Sequence, residues 1–220
     1  MTSYHRAHFV DDPRRQIVWK AVADHLAPNV PNESHVLELG AGYCHWINHV
    51  RAARRVAVDL WTELPKHAGP GVEPLVLDIA DGLTSLADAS FDVVLASNLL
   101  EHFPPDTAAK VAGTAARLLR PGGRLILIQP NFRYAWRSYF DDYTHRSIFT
   151  DVSLPALLRA TGFEILNVQP RFVPYSMQGT SFPVTAWLVK AYLMSPVKPA
   201  AGQMLVIAQK GQKEMPAHVR

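Results

Sequence analysis

The sequence predicts an α/β fold in which a doubly wound, mostly parallel sheet carries helices on both faces. Three observations lead there. Short apolar runs such as Phe91 to Ala96 lack polar alternation, the pattern of a strand covered on both faces. These runs alternate with stretches of helical periodicity, which is how repeated βα units are written. The first of them, "VLEL", passes directly into "GAGYC", a turn with two glycines, where such sheets present a loop to a ligand.

The elements follow in order. A helix is predicted over about residues 12–27. Asp12 is placed to cap it, Pro13 suits the first turn, and Ile17, Val18, Ala21, Val22 and Leu26 recur near helical spacing until Pro28 and Pro31 stop it. Strands are predicted at Val36 to Leu39, Val56 to Val58, Leu75 to Leu77, Phe91 to Ala96 and Leu125 to Ile128. A helix from about Asp106 ends at "RPGG", where Gly122 and Gly123 can turn the chain back into a strand. Another, "SLPALLRATG", has Ser153 positioned to cap its start and Gly162 to end it. The last two strands, "FEILNVQP" and "GQMLVIAQK", lack a clear crossover helix of standard length, which allows antiparallel pairing. Between them an insertion over about 171–201 is too long for a hairpin and reads as a lid, a substrate wall or a partner surface. Residues 1–220 are read as a single domain.

Composition narrows the function. At 220 residues and 48% hydrophobic content the chain can fill a real core. The net charge of +3 comes from dispersed Lys and Arg residues with no basic run, so a nucleic-acid partner is not expected. The single cysteine, Cys44, excludes an internal disulfide framework and fits a reducing compartment. With no signal-peptide core and no membrane-spanning window, a cytoplasmic enzyme or binding protein is the expectation.

The turn after the first strand allows close approach of the backbone to a ligand at Gly40 and Gly42. A dinucleotide site would place a third glycine at position 45, where His45 stands, and would not require Glu38 in the strand. The segment "LELGAGYC" resembles the acidic–x–Gly–x–Gly motif of class I S-adenosylmethionine-dependent methyltransferases, with Glu38, Gly40 and Gly42 on its positions and Cys44 where a third glycine often follows. Further along, "RVAVDL", "LVLDIAD", "FDVVLASNLLEHF" and "LLRPGGRLILIQPN" resemble later landmarks of the same family, in the right order.

That resemblance implies a Rossmann-like, mostly parallel seven-stranded sheet with an antiparallel last strand. It also implies S-adenosyl-L-methionine as cofactor, with S-adenosyl-L-homocysteine as product. Asp59 would take the ribose hydroxyls beside Leu60, and Asp78 the adenine amino group, with Ile79 against the ring. Glu38 would hydrogen-bond the turn or the cofactor's amino end, and Ala41, Tyr43, Asn98 and Leu99 flank the cofactor. The stretch from "PNFRY" through the insertion is similar to bacterial small-molecule methyltransferases, including ones of polysaccharide or glycolipid assembly. The implied acceptor is therefore a small molecule, sugar or glycolipid.

If that acceptor is a hydroxyl, a base helps remove its proton. His102 after the fourth strand, and Asp142 and His145 in "YFDDYTHRSIFT" after the fifth, are the candidates, although His102 reads equally as a structural residue. Arg146 is either an anchor for an acidic group or a solvated cation, and Tyr134, Trp136 and Tyr139 are either acceptor walls or core. No metal is expected, because the "DDYTHR" ligands crowd one loop with no second histidine at ligand spacing. The apolar "VTAWLVKAYLM" can pack as a lid helix or meet a lipid surface. A nicotinamide-dependent oxidoreductase and a non-catalytic cofactor-binding module are the alternatives.

Overall fold

Strands and helices fall close to the expected places in the computed structural model, which describes residues 12–175 and 184–211. The strands are β1 (His35–Leu39), β2 (Arg54–Asp59), β3 (Val72–Val76), β4 (Phe91–Ser97), β5 (Leu119–Pro130), β6 (Phe163–Pro174) and β7 (Ala201–Lys210). They form one seven-stranded sheet in the order β3-β2-β1-β4-β5-β7-β6. The pairs from β3 through β5 are parallel, whereas β7 runs antiparallel to both β5 and β6. Because β1 to β5 are parallel, the loops that follow them all emerge at one edge of the sheet. The strand order reverses between β1 and β4, and at such a switch point the loops diverge and leave a crevice.

Two apolar layers fill the faces. On one, α3 (Pro105–Leu118) buries Ala108, Val111, Ala112, Ala115 and Leu118, a helical stripe laid against Leu37, Val94, Leu125 and Leu127. On the other, α1 (Pro13–Leu26) packs Ala21, Val22 and Leu26 beside Val36, Leu95, Ile126 and Ile128. Complete burial of one such Leu or Ile contributes about 1.5–3 kcal/mol, so the strands are held chiefly by what covers them.

Local rules place most boundaries. The Asp12 carboxylate accepts from the Arg14 amide, capping α1 as expected. At the turn into β5, Gly122 takes φ +77°, and a Cβ on Gly123 would stand 3.1 Å from the Asp92 carbonyl oxygen. Helix α3 nevertheless stops at Leu118, and β5 starts before the glycines. The cap of α5 (Ser153–Ala160) also differs from expectation. The Thr150 hydroxyl accepts from the Ser153 amide at 3.1 Å while Ser153 Oγ accepts from the Thr150 amide at 2.9 Å, a reciprocal box led by Thr150.

The crossover from β1 to β2 has no standard helix. Cys44 sits at φ +56°, a conformation that interrupts helical winding, and only a 3-10 turn at Ile47–His49 follows. Buried Cys44, Trp46 and Ile47 fill the layer where a helix would lie. Within the insertion, β6 already occupies the first residues, 176–183 lie outside the described residues, and α6 (Ala186–Met194) packs on α1. Leu193 is buried there, and Lys190 Nζ pairs with Asp24 at 3.0 Å. Among the described residues no helix is long and apolar enough to cross a membrane. Two one-turn helices remain, α2 (Leu64–His67) after β2 and α4 (Phe132–Ala135) after β5.

Candidate functional site

Strand β1 delivers Glu38 to the sheet interior and then turns at Gly40, with φ +70°, and Gly42, with φ +49°. Both values lie where only glycine sits without strain. A Cβ on Gly40 would meet Leu99 Cδ1 at 3.1 Å, so the loop after β4 lies directly against this turn. Asp59, at the end of β2, clamps the turn from the side: one carboxylate oxygen accepts from the Gly42 amide at 2.8 Å, the other from the Trp61 amide at 2.9 Å. The Gly40 and Ala41 amides donate to the Val58 carbonyl at 2.9 and 3.1 Å. These bonds have a chemical consequence. A phosphate cradle works by aiming free turn amides at the ligand, and here three of those amides are spent on β2.

The walls of the turn are acidic or inert. Glu38 accepts from the Ile47 amide at 3.0 Å. Burial pushes its carboxyl up to about 8 against the pull of that amide, and the nearby Asp59 charge adds to the rise. Burial likewise pushes the Cys44 thiol up to about 12, which makes it a packing residue and no nucleophile. His45, where a dinucleotide site would need glycine, is a buried imidazole stacked on Tyr43 at 5.5 Å between ring centres. Tyr43 also meets Trp61 and His67 edge-on, forming an aromatic fence beside the turn.

Asp78 comes up beside Asp59, because Asp59 pairs with Val76 and its carbonyl accepts from Leu77. The exposed Asp78 carboxylate accepts from the Ala80 amide at 2.8 Å. Asp81, three residues on, is instead paired with Lys110 at 2.6 Å. Ile79 is buried and packs with Leu39, Val58 and Leu83, whereas Leu60 is exposed. Asn98 closes β4 at φ +48° with its amide on the Ile128 carbonyl. Its side-chain oxygen is buried and has no hydrogen-bond donor among the described residues. The structure thus brings Glu38, Gly40, Gly42, Asp59, Asp78 and Leu99 to one crevice.

A second constellation lies beyond β4 and β5. The loop carrying His145 is tied to the one carrying His102: the Arg146 and Ser147 amides donate to the Glu101 carbonyl at 2.8 and 3.1 Å, and Ser147 Oγ donates to the Phe103 carbonyl at 2.6 Å. His102 Nδ1 lies 2.8 Å from Thr144 Oγ1, which in turn lies 2.6 Å from Asp142 Oδ1. Thr144 has one hydroxyl proton. With that proton on the Asp142 carboxylate, Nδ1 must be the donor to Thr144, and the lone pair of the neutral imidazole is left on Nε2. Burial works to raise the Asp142 carboxyl, but the Thr144 hydroxyl and amide, with both histidines, bring it below the usual carboxylate range.

His145 is buried with its ring 5.0 Å from His102 and 4.5 Å from Tyr139, and its Nε2 lies 3.9 Å from Asp142 Oδ2. Tyr139 is core, its hydroxyl bonded to the Ser147 carbonyl, while Tyr134 and Trp136 are exposed, as are Asp141 and Arg146. Three members were missed or undervalued in the sequence. Thr144 stood inside "DDYTHR" without a role, and Gln129, fully buried with both amide atoms unpartnered among the described residues, was signalled only as a polar residue closing an apolar strand. Glu101 is fully buried, and burial pushes its carboxyl up to about 8 against the pull of its own backbone amide, with the Asp142 charge adding to the rise. The reason for discounting a metal, the want of a second histidine, holds within the loop but not in space, since His102 arrives from another segment.

Residues 12–168 match the sequence model of a family described as a methyltransferase domain. Among solved structures, the chain is similar to an S-adenosylmethionine-dependent methyltransferase from Archaeoglobus fulgidus, with a TM-score of 0.68 and 18% identity over 89% of this chain and 94% of that one. It is similar to one from Mesorhizobium loti at a TM-score of 0.62 and 19% identity, covering 86% and 98%. A third is the 1,6-didemethyltoxoflavin-N1-methyltransferase of Burkholderia thailandensis, solved with 1,6-didemethyltoxoflavin and S-adenosylhomocysteine, with a TM-score of 0.58 and 21% identity over 94% and 83%. No curated protein matches the chain.

Proposed function

The chain belongs to the methyltransferase-domain family, and from that premise we propose that it transfers a methyl group from S-adenosylmethionine to a hydroxyl of a small molecule, sugar or glycolipid. The observation that carries the hydroxyl is the chain His102–Thr144–Asp142, which sets the His102 tautomer with Nε2 as its basic nitrogen. A hydroxyl must shed its proton as it is methylated, and an imidazole oriented in this way can receive it.

The cofactor, when bound, supplies a methyl group on a positively charged sulfur. The residues present fit such a ligand better than a dinucleotide. The turn amides are already engaged, and the wall bears the carboxylates of Asp59 and Asp78, which suit a cation and repel a diphosphate. Each Asp59 oxygen accepts an amide, and a carboxylate oxygen with more than one lone pair is the acceptor type a ribose hydroxyl needs. Asp78 is the acceptor for the adenine amino group. Asn98 Oδ1, buried and without a donor among the described residues, suits the amino end of the methionine moiety, and Leu99 backs the turn at Gly40. His145 and Asp142 orient the acceptor and the base, and Thr144 acts as a positioning residue through His102.

On the acceptor side, exposed Trp136 and Phe140 offer flat apolar faces to a sugar ring. On α6, exposed Trp187 and Met194 suit contact with a lipid headgroup layer, in line with a glycolipid acceptor. The decisive experiment incubates the chain with methyl-labelled S-adenosylmethionine and a cell extract and identifies the labelled product by mass. A methyl ether supports the proposal. A methylated amine or carbon as the sole product would overturn the hydroxyl assignment, and no labelled product with tight cofactor binding would favour a binding module.

A further inference from the structure

We propose that Glu101, His102 and His145 form a binding site for one divalent transition-metal cation of the zinc, cobalt or iron(II) type, at the acceptor end of the cleft. One ring nitrogen of each histidine and one carboxylate oxygen of Glu101 all lie within 4.8 Å of one another. Zinc holds such atoms at about 2.0–2.2 Å, so coordinated neighbours stand roughly 3–4 Å apart and side-chain adjustments on the order of 1 Å close the shell. The segments that carry them are already locked together by the Arg146 and Ser147 amides on the Glu101 carbonyl and by Ser147 Oγ on Phe103. No refolding is needed to bring the ligands in.

An independent observation points to a ligand. Glu101 is fully buried, and neither carboxylate oxygen has a hydrogen bond from another residue among the described residues. A buried carboxyl in that condition is costly to fold around, and a cation between it and the two imidazoles removes the cost. Glu38 shows the contrast, since its carboxylate has the Ile47 amide. The donor set decides the kind of cation. Two imidazoles with one carboxylate suit zinc, cobalt and iron(II), whereas magnesium and calcium favour shells made of oxygen alone. Three protein ligands leave positions open for a further oxygen ligand, which at this end of the cleft is the acceptor's; a bound cation would take up the His102 nitrogen that serves as base in the metal-free chain and would itself acidify that hydroxyl. That last use rests on the hydroxyl reading above, whereas metal binding is measured without acceptor or cofactor, so the two can fail separately.

The test titrates the full-length, chelator-treated chain with cobalt(II) chloride and follows visible absorption and melting temperature. Expected are a band that saturates at one equivalent and a melting temperature that rises with free cobalt. In His145→Asn and Glu101→Gln the affinity should fall at least about tenfold, the lower end of what even an outer-shell change costs a metal site. His102→Asn, at a half-buried position, gives the same reading should a buried variant fail to fold, and His49→Asn should bind as the parent does. Absence of a one-equivalent band, or equal affinity in parent and ligand variants, would overturn the site.

Discussion

The two halves of the cleft treat their buried glutamates in opposite ways. Around the turn after β1, Glu38 holds the Ile47 amide and Asp59 holds two further amides, so backbone and carboxylates satisfy one another before any ligand arrives. At and beyond the ends of β4 and β5, Glu101 is more deeply buried yet its carboxyl has no hydrogen bond from another residue among the described residues, although the neighbouring His102–Thr144–Asp142 chain is complete. The first half is built as a preorganised socket. The second is built around what it receives, because a polar group withdrawn from water is tolerated only where something supplies the missing bond.

The widest separation of the halves comes from His102→Asn. Loss of a positioned base should lower kcat by about 100- to 10,000-fold, with cofactor affinity unchanged by isothermal titration. A matching loss of cofactor affinity would mean that the halves are one site.

Next is the response of stability to pH. Glu38 titrates at about 8 in the fold and near 4.5 when unfolded. Between those values the folded chain holds a proton that the unfolded chain has released, so stability falls as pH rises through the window and levels off above it. Glu38→Gln should flatten that part of the profile, by an amount on the order of a few kcal/mol, seen in urea melts at pH 5, 6.5 and 8. An unchanged slope would place the proton elsewhere, with Glu101 the first suspect since burial lifts it to the same value.

Asp59→Ala then addresses the socket alone. Each charged hydrogen bond lost to the ribose should cost about 1.5–3 kcal/mol of cofactor affinity, with the acceptor KM unaffected. Unchanged cofactor affinity would displace the ribose from this carboxylate. The smallest expected effect is that of Thr144→Val, which removes one neutral hydrogen bond from the base and should lower kcat up to about tenfold. Thr144→Ser, which keeps the hydroxyl, should restore it. Failure of the serine to rescue would assign Thr144 a packing role.

Legibility in the sequence followed the same divide. The socket side was readable because its parts are local: a strand, two glycines and an acid at the next strand end each leave a pattern within a few residues. Glu38, Gly40, Gly42 and Asp59 consequently meet around one turn. The helix-capping role of Ser153 was misread because Thr150, three residues earlier, takes the Ser153 amide while Ser153 in return takes the Thr150 amide. The missing helix between β1 and β2 depends on the left-handed backbone at Cys44, which no side-chain pattern announces.

The sequence by itself determined the sheet, its two apolar coats and the glycine turn, since hydrophobic periodicity and turn chemistry act over short stretches of chain. Only the tertiary structure decided that His102 and Asp142 share one threonine, and that Glu101 and His145 face each other from segments over forty residues apart. Such meetings depend on how loops settle above a shared sheet edge. Hydrogen bonds as few as those from Arg146 and Ser147 to Glu101 set that settlement, and their spacing along the chain carries no period to read.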